Sequence, residues 1–381
     1  MLTRTLSIER PNSGPKSICL NMIVKNESQV IARCLASVKH LIDYWVICDT
    51  GSTDGTQALI RQALTSVPGE LHEHEWVNFG HNRTEALQLA LGHCDYVLLL
   101  DADMVLVQQG EFKHKLTADS YLLRQQGPLE YQEQKLLRSG LAWRYVGVTH
   151  EYVFAPDAGP RVPLPELQLR HFADGGARAD KFTRDIMLLE QGLLHEPGNA
   201  RYLFYLAQSY RDLGDLPRAL QYYQLRVEAG GWDEEIWYAL YQIASLRERQ
   251  GADWPLVLDA CLQAYHFRPS RIEPLYLVAK HYRQQCNYST GHLFTQAAMA
   301  VAYPQDLLFI DRPVYDYLLP MEHAICCHYV GRYKEAIVTN NRILSHDDLP
   351  ELIRNQVLAN NEYSKAAEKA VTRSPEQLIY S

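Results

Sequence analysis

No uncharged apolar run in this 381-residue sequence approaches the length needed to cross a bilayer, so no membrane-spanning helix is expected. Cys-x-x-Cys pairs are also missing. The eight cysteines, at positions 19, 34, 48, 94, 261, 286, 326 and 327, are scattered through mostly apolar surroundings. That distribution argues against a zinc site or a disulfide framework and for reduced, buried thiols. The adjacent Cys326 and Cys327 are read as helix packing rather than redox chemistry. Basic charge is in deficit, with 37 Lys and Arg against 45 Asp and Glu and a formal net charge of -8. A nucleic-acid binder relying on a broad basic surface is therefore not expected. The first ten residues include Arg4, Glu9 and Arg10 and lack an apolar core of the kind secretion requires. Together these absences lead to the expectation of a soluble, cytoplasmic protein.

With 47% hydrophobic residues the chain can bury substantial cores, and its length exceeds that at which a single core usually keeps growing. Two domains are expected. Residues 1–16, with Pro11, Asn12, Ser13, Gly14 and Pro15, read as a flexible lead-in. From there strand and helix patterns alternate: strands at 17–24, 44–48, 71–75 and 95–100, and helices at 28–39, 55–66 and 82–92. This βαβ succession predicts an α/β domain with a mainly parallel sheet. Further strands, a meander near 119–126, 129–138 and 140–147, complete a domain of residues 17–177.

Beyond Ala177 the helical period takes over, and 178–381 read as an all-α domain. Ala207, Tyr210, Gly214, Ala219 and Tyr223 are spaced like the small and large packing positions of a tetratricopeptide hairpin, and Gly331 and Ala336 repeat the spacing of Gly214 and Ala219. The stretch from Trp232 to Ala302 is helical but matches the repeat poorly. Four or five helix pairs, some degenerate, would stack as a solenoid. Such a solenoid can bind a peptide on a concave surface, or dock on the first domain and form a homodimer.

Two motifs carry chemistry. Cys48-Asp49-Thr50-Gly51-Ser52-Thr53-Asp54-Gly55-Thr56 lies between an apolar strand and a helix, so it forms a strand-to-helix turn. Free amides at such a helix start suit anionic or polar ligands, and Ser52, Thr53 and Asp54 can cap the helix. Leu98-Leu99-Leu100-Asp101-Ala102-Asp103 places two carboxylates at a strand end, where a hard divalent cation can be held and can neutralise phosphate oxygens. In open α/β sheets ligands bind at such strand ends. His72 and His74 alternate with Glu73 and Glu75 and read as a solvated strand face.

Together with Ile18-Cys19-Leu20-Asn21-Met22-Ile23-Val24-Lys25-Asn26-Glu27, these motifs resemble, in order and separation, the family-two glycosyltransferases of GT-A fold. The resemblance covers roughly residues 17–175. With the helical repeats it extends to bacterial repeat-containing glycosyltransferases, among them S-glycosyltransferases that modify bacteriocin peptides. It implies a UDP-sugar donor and Mn2+ or Mg2+. Asp49 would accept a hydrogen bond from the base, Glu27 would line the same pocket, and Arg83 would contact base or phosphate. Thr84 stands where the family usually has Asn, and Met104 where many members have a further Asp. Asp101 and Asp103 would bracket the metal, Asp103 as direct ligand and Asp101 also on the ribose, with His171 as third ligand. Lys181 and Arg184 would reach the diphosphate.

The resemblance further implies an inverting transfer in which Glu151 or His150, within Trp143-Arg144-Tyr145-Val146-Gly147-Val148-Thr149-His150-Glu151, serves as general base. The acceptor is expected to be a peptide, glycan or small molecule. Two alternatives stay open. One is a scaffold with an inactive sugar-nucleotide domain. The other is a sugar nucleotidyltransferase, although such enzymes usually carry a Gly-rich basic loop after the first strand, where this chain has Lys25-Asn26-Glu27.

Overall fold

The computed structural model describes residues 14–126, 131–172, 174–175 and 181–377, so most of the expected lead-in 1–16, the start of the 129–138 strand and the boundary at 177 lie outside the described residues. The chain divides into two compact units, Met1–Pro197 and Gly198–Ser381.

In the first unit the elements run β1 (Ile18–Val24), α1 (Ile31–Val38), β2 (Tyr44–Asp49), α2 (Thr56–Ala63), β3 (Gly69–Glu73), α3 (Phe79–Ala90), β4 (Tyr96–Leu99), β5 (Met104–Gln108), β6 (Ser120–Gln126), β7 (Tyr131–Arg138), β8 (Arg144–Val146), β9 (Tyr152–Phe154), β10 (Val162–His171) and α4 (Lys181–His195). The main sheet has the order β3-β2-β1-β4-β7-β6-β10-β5. β3, β2, β1 and β4 are mutually parallel, as the βαβ succession predicts, and β7 enters antiparallel to β4. Alternation along β1 divides the core. Ile18, Leu20 and Met22 pack with α1 and α2, while Cys19 joins Val46, Val97 and α3 on the opposite face.

Five elements differ from the sequence reading. β5 and β9 were not anticipated, and the 140–147 stretch narrows to β8, which pairs with β9 in a separate two-stranded sheet instead of extending the meander. β3 begins two residues before the expected position, at Gly69, which pairs with Trp45, and the Trp45 indole leaves no room there for a side chain. The helical period assigned α4 to the second domain, but it falls within the first unit. Its Asp185 is 2% exposed and accepts a hydrogen bond from Thr149 Oγ1 at 3.2 Å.

The second unit contains α5 (Ala200–Leu213), α6 (Leu216–Ala229), α7 (Asp233–Arg249), α8 (Trp254–Phe267), α9 (Glu273–Gln284), α10 (Tyr288–Met299), α11 (Leu319–Tyr329), α12 (Tyr333–Leu344) and α13 (Glu351–Gln377). Successive helices pack as the hairpins α5/α6, α7/α8, α9/α10 and α11/α12, with α13 against α12. Gly214 and Gly331 end α5 and the turn after α11 at φ 93° and 81°, where glycine avoids a steric cost, and Ala219 and Ala336 are fully buried at the following crossings. In the α9/α10 pair Cys286, at φ 55°, and Gly291, packed against Cys326, take the corresponding places, and buried ion pairs add to the joins between helices. Arg226 on α6 meets Glu235 on α7 at 3.0 Å, and Arg271 bonds Glu273 at 2.7 Å while stacking on Trp237 at 3.7 Å.

α3 is laced to the segment after β7. Phe79 N donates to Val148 O at 3.1 Å, Tyr145 N to Thr84 Oγ1 at 3.0 Å, and Gln88 Nε2 to Trp143 O at 2.7 Å. Asn21 Nδ2, from β1, donates to Ala86 O at 2.9 Å. The closest approach is at Gly80, where an added Cβ would lie 2.0 Å from Gly147 O. Gly80→Ala is therefore expected to push α3 off this segment and to cost at least about 2 kcal/mol, since backbone on both sides blocks relaxation. Urea denaturation of the variant checks this, and an unchanged midpoint would contradict the packing.

Candidate active site

The turns after β1 and β2 are stitched into one platform. Asn26 N donates to Ser52 Oγ at 2.8 Å, Glu27 N to Thr56 Oγ1 at 2.8 Å, Ser28 N to Asp54 Oδ2 at 3.0 Å, and Thr53 N to Asn26 Oδ1 at 2.8 Å. The small polar residues of the second turn thus satisfy amides of the first, a role their capping chemistry allows. Burial alone would raise the Asp54 carboxyl, but the bonds from Thr56 and Ser28 outweigh it and hold it well below the usual carboxylate range.

Beside this platform lies a cavity of about 460 Å³. Lys25, Asn26, Glu27 and Thr50 line it from the two turns, Asp101 and Asp103 from the end of β4, and Arg83 from α3. His171 from β10, Gly175, and Lys181 and Arg184 from α4 complete the polar lining, with Trp76 and Phe79 as an aromatic wall. The two rings meet edge to face at 4.8 Å, and the Arg184 guanidinium lies 5.3 Å from the Phe79 ring centre. Seven of the residues expected from sequence therefore share one cavity: Glu27, Arg83, Asp101, Asp103, His171, Lys181 and Arg184.

Asp49, His150 and Glu151 are not among the lining residues. Asp49 ends β2 at 1% exposure, and its Oδ1 accepts from the amides of Gly51 at 2.9 Å and Ser52 at 2.7 Å. Its Oδ2 is buried without a hydrogen-bond partner among the described residues, which leaves one strong acceptor unsatisfied. His150, at φ 50°, has its Nε2 3.7 Å from Asp185 Oδ2. Glu151 Oε1 lies 2.7 Å from Arg83 Nε.

Arg83 joins two carboxylates from different elements. Its Nη2 reaches Asp101 Oδ1 at 2.5 Å while its Nε faces Glu151. The other Asp101 oxygen is 3.5 Å from Lys135 Nζ, which also pairs with Glu133 at 2.9 Å. Burial alone would raise the Asp101 carboxyl, but Arg83 and Lys135 hold it well below the usual range. Burial would lower Lys135, yet Glu133 and Asp101 raise it above its ordinary value. Lys135 and Glu133 escaped the sequence reading, although their spacing of two along β7 places both on one face of the strand.

Asp103 Oδ2 is 3.0 Å from His171 Nε2, and this hydrogen bond raises the imidazole above its ordinary value. A Cβ built on Gly175 would lie 3.2 Å from Glu27 Oε2 and 3.4 Å from Asp103 Oδ2, so glycine there lets two carboxylates converge. Carboxylate oxygens with one imidazole are a donor set that suits a manganese- or magnesium-class ion. Asp101 fits that role less well, because both of its oxygens already face cations.

Arg83→Met would leave Asp101 and Glu151 without their shared cation. The loss is expected to be roughly 3 kcal/mol at neutral pH, the usual scale for breaking a buried pair. Because the folded Asp101 value is depressed, its contribution is present above about pH 4 and is lost as pH falls toward the folded value. The stability gap between wild type and variant should therefore narrow in acid, as urea melts at several pH values would register.

Residues 19–110 match the profile of the family described as Glycosyl transferase family 2. A TPR repeat-containing protein of Synechococcus elongatus is 29% identical over 271 residues, 65% of this chain and 64% of that protein. The SPbeta prophage-derived glycosyltransferase SunS of Bacillus subtilis is 24% identical over 227 residues, 55% of this chain and 53% of that protein. The chain thus spans between about half and two-thirds of the length of these curated relatives. Tetratricopeptide structures from Cytophaga hutchinsonii and Parabacteroides merdae cover 51% of the chain each, and 69% and 74% of their own. With identities of 12% and 19% and TM-scores of 0.39 and 0.36, they add nothing to the helical hairpins described above. The sheet with its strand-end motifs, the family profile and the paired helices agree: the chain carries a family-two glycosyltransferase domain followed by a tetratricopeptide-like helical region.

Proposed function

We propose that the protein is a metal-dependent glycosyltransferase that moves a sugar from a UDP-linked donor to an acceptor with inversion at the anomeric carbon. The observation that supports this most is the convergence on one cavity of three cations, Arg83, Lys181 and Arg184, with Glu27, Asp103 and His171. A sugar diphosphate is a dianion, and forked guanidinium donors match its oxygens. Asp103 and His171, with Glu27 beside them, would hold Mn2+ or Mg2+; when bound, such an ion neutralises charge on the departing diphosphate. Asp101 is assigned to the ribose and to holding Arg83. Asp49 Oδ2, unsatisfied and buried, is assigned the uracil N3–H.

In the transfer step the acceptor oxygen or sulfur bonds to the anomeric carbon as the bond to the diphosphate breaks. The acceptor proton passes to Glu151, or to His150 if the substitutions below say so. Lys181 and Arg184 receive the leaving diphosphate. A peptide or glycan acceptor bound by the helical region completes the proposal; SunS, named a glycosyltransferase, and the repeat-containing relative are consistent with it.

Calorimetric titration of UDP with and without manganese tests the donor site. Binding that needs the metal and weakens at least about tenfold in Asp103→Ala is expected. Absence of binding under both conditions would remove the UDP assignment. Hydrolysis of the UDP-sugar, a transfer to water, tests the base: Glu151→Gln should lower the rate roughly 10²–10⁴-fold, far more than it changes UDP affinity through its partner Arg83. An unchanged rate in Glu151→Gln with a fall in His150→Gln would move the role to His150.

A further inference from the structure

In the second unit four potential ligands meet outside any role described above. His292 on α10, His323 and Cys327 on α11, and Glu335 on α12 bring one ligand atom each to within 4.8 Å of one another. Two separations are already short: His323 Nε2 is 3.1 Å from Glu335 Oε1 and 3.4 Å from Cys327 Sγ. Ligand atoms around a tetrahedral zinc ion, at its usual bond lengths, stand roughly 3.3–3.8 Å apart. Side-chain movements of about an ångström would bring the set to that spacing.

We propose that this cluster is a second metal site, built for a zinc-class divalent cation bound by two imidazoles, one thiolate and one carboxylate. The hydrogen bonding around His323 favours it. Thr295 Oγ1 lies 3.1 Å from His292 O and 2.9 Å from His323 Nδ1, so with its single proton given to the carbonyl it accepts from Nδ1–H. In the neutral imidazole this fixes the tautomer and leaves the Nε2 lone pair aimed at a carboxylate oxygen. Two acceptors 3.1 Å apart call for a positive centre near them. A hydroxyl holding Nδ1 is also how ligating histidines are usually oriented by their surroundings.

Arg332, at the start of α12, now supplies the positive charge. Its Nη1 lies 3.1 Å from His292 Nε2 and 3.2 Å from Glu335 Oε2. Its side chain is 48% exposed, so it can swing into solvent when a cation enters, whereas His323 is 4% exposed and stays fixed. On binding, the S–H bond of Cys327 breaks, the sulfur bonds to the metal and the proton leaves to solvent. The sequence hides the site because its donors come from three helices. Only His323 and Cys327, one helical turn apart, share an element, and no Cys-x-x-Cys spacing arises.

The full-length protein, stripped with chelator, is titrated with Co2+ alone and the cobalt is then displaced with Zn2+. The expected result is one cobalt per chain at this site, with a thiolate-to-cobalt charge-transfer absorption that disappears in Cys327→Ala. Asp103→Ala should keep that absorption, which separates this site from the cavity of the first unit. Glu335→Gln, at a partly exposed position, should weaken zinc binding roughly tenfold or more, and Arg332→Ala should strengthen it. No charge-transfer absorption in wild type, or one that survives Cys327→Ala, would overturn the proposal. Should Cys327→Ala fail to fold, unchanged zinc affinity in Glu335→Gln would overturn it equally.

Discussion

The cavity of the first unit depends on one guanidinium. Arg83 enters from α3 and neutralises Asp101, at the end of β4, and Glu151, beyond β8. Charges so largely buried are costly without partners, so the two ion pairs tie α3 to the end of β4 and to the segment beyond β8. The backbone is arranged to make that happen. Gly80 lets α3 touch the Gly147 carbonyl, Thr84 and Gln88 bond the β8 segment, and Asn21 fastens α3 to the central strand. Lys135, raised from β7, holds the other side of Asp101 and keeps the local charge balanced.

The two strand-end turns solve a related problem by different means. Glycines at 51 and 55 take left-handed conformations, with φ of 100° and 89°, which frees the turn to bring Ser52, Asp54 and Thr56 against the amides of the neighbouring turn. These side chains are therefore occupied structurally, and the cavity wall is left to Glu27, to Thr50 and to the strand-end carboxylates. Arg33 adds a clamp from α1, with a bidentate pair to Asp174 at 2.6 and 2.9 Å and a stack on Phe172 at 4.0 Å. That clamp brings the residues after β10 toward Asp103, where a glycine at 175 is tolerated and a larger residue would crowd the carboxylates.

Much of this architecture was legible in the linear sequence because its causes are local. Apolar runs with period two and helices with period 3.6 revealed the parallel β1, β2, β3 and β4, and the Gly214/Ala219 spacing with its repeat at Gly331/Ala336 revealed the outer hairpins. β5 was missed although Met104 to Val107 is apolar, since its short run follows a turn and pairs with β10 far along the chain. The central hairpins matched the repeat poorly because the α9/α10 turn uses Cys286, at φ 55°, in place of glycine and Gly291 in place of alanine. In the candidate site, the residues at strand ends were readable, whereas Lys135 and Glu133 were not. A buried lysine on a strand reads as surface until its partner is known.

By itself the sequence determined the α/β and helical halves, the order of the parallel strands' motifs and the identity of the acidic groups at their ends. These follow from the chemistry of neighbours a few residues apart. Only the tertiary structure decided that His171 meets Asp103 across 68 residues, that Arg83 holds Asp101 and Glu151 together, and that two histidines, a cysteine and a glutamate from three helices come within reach of one ion. Which charges share a low-dielectric space is set by crossovers and helix packing, and residue spacing along the chain carries no record of those distances.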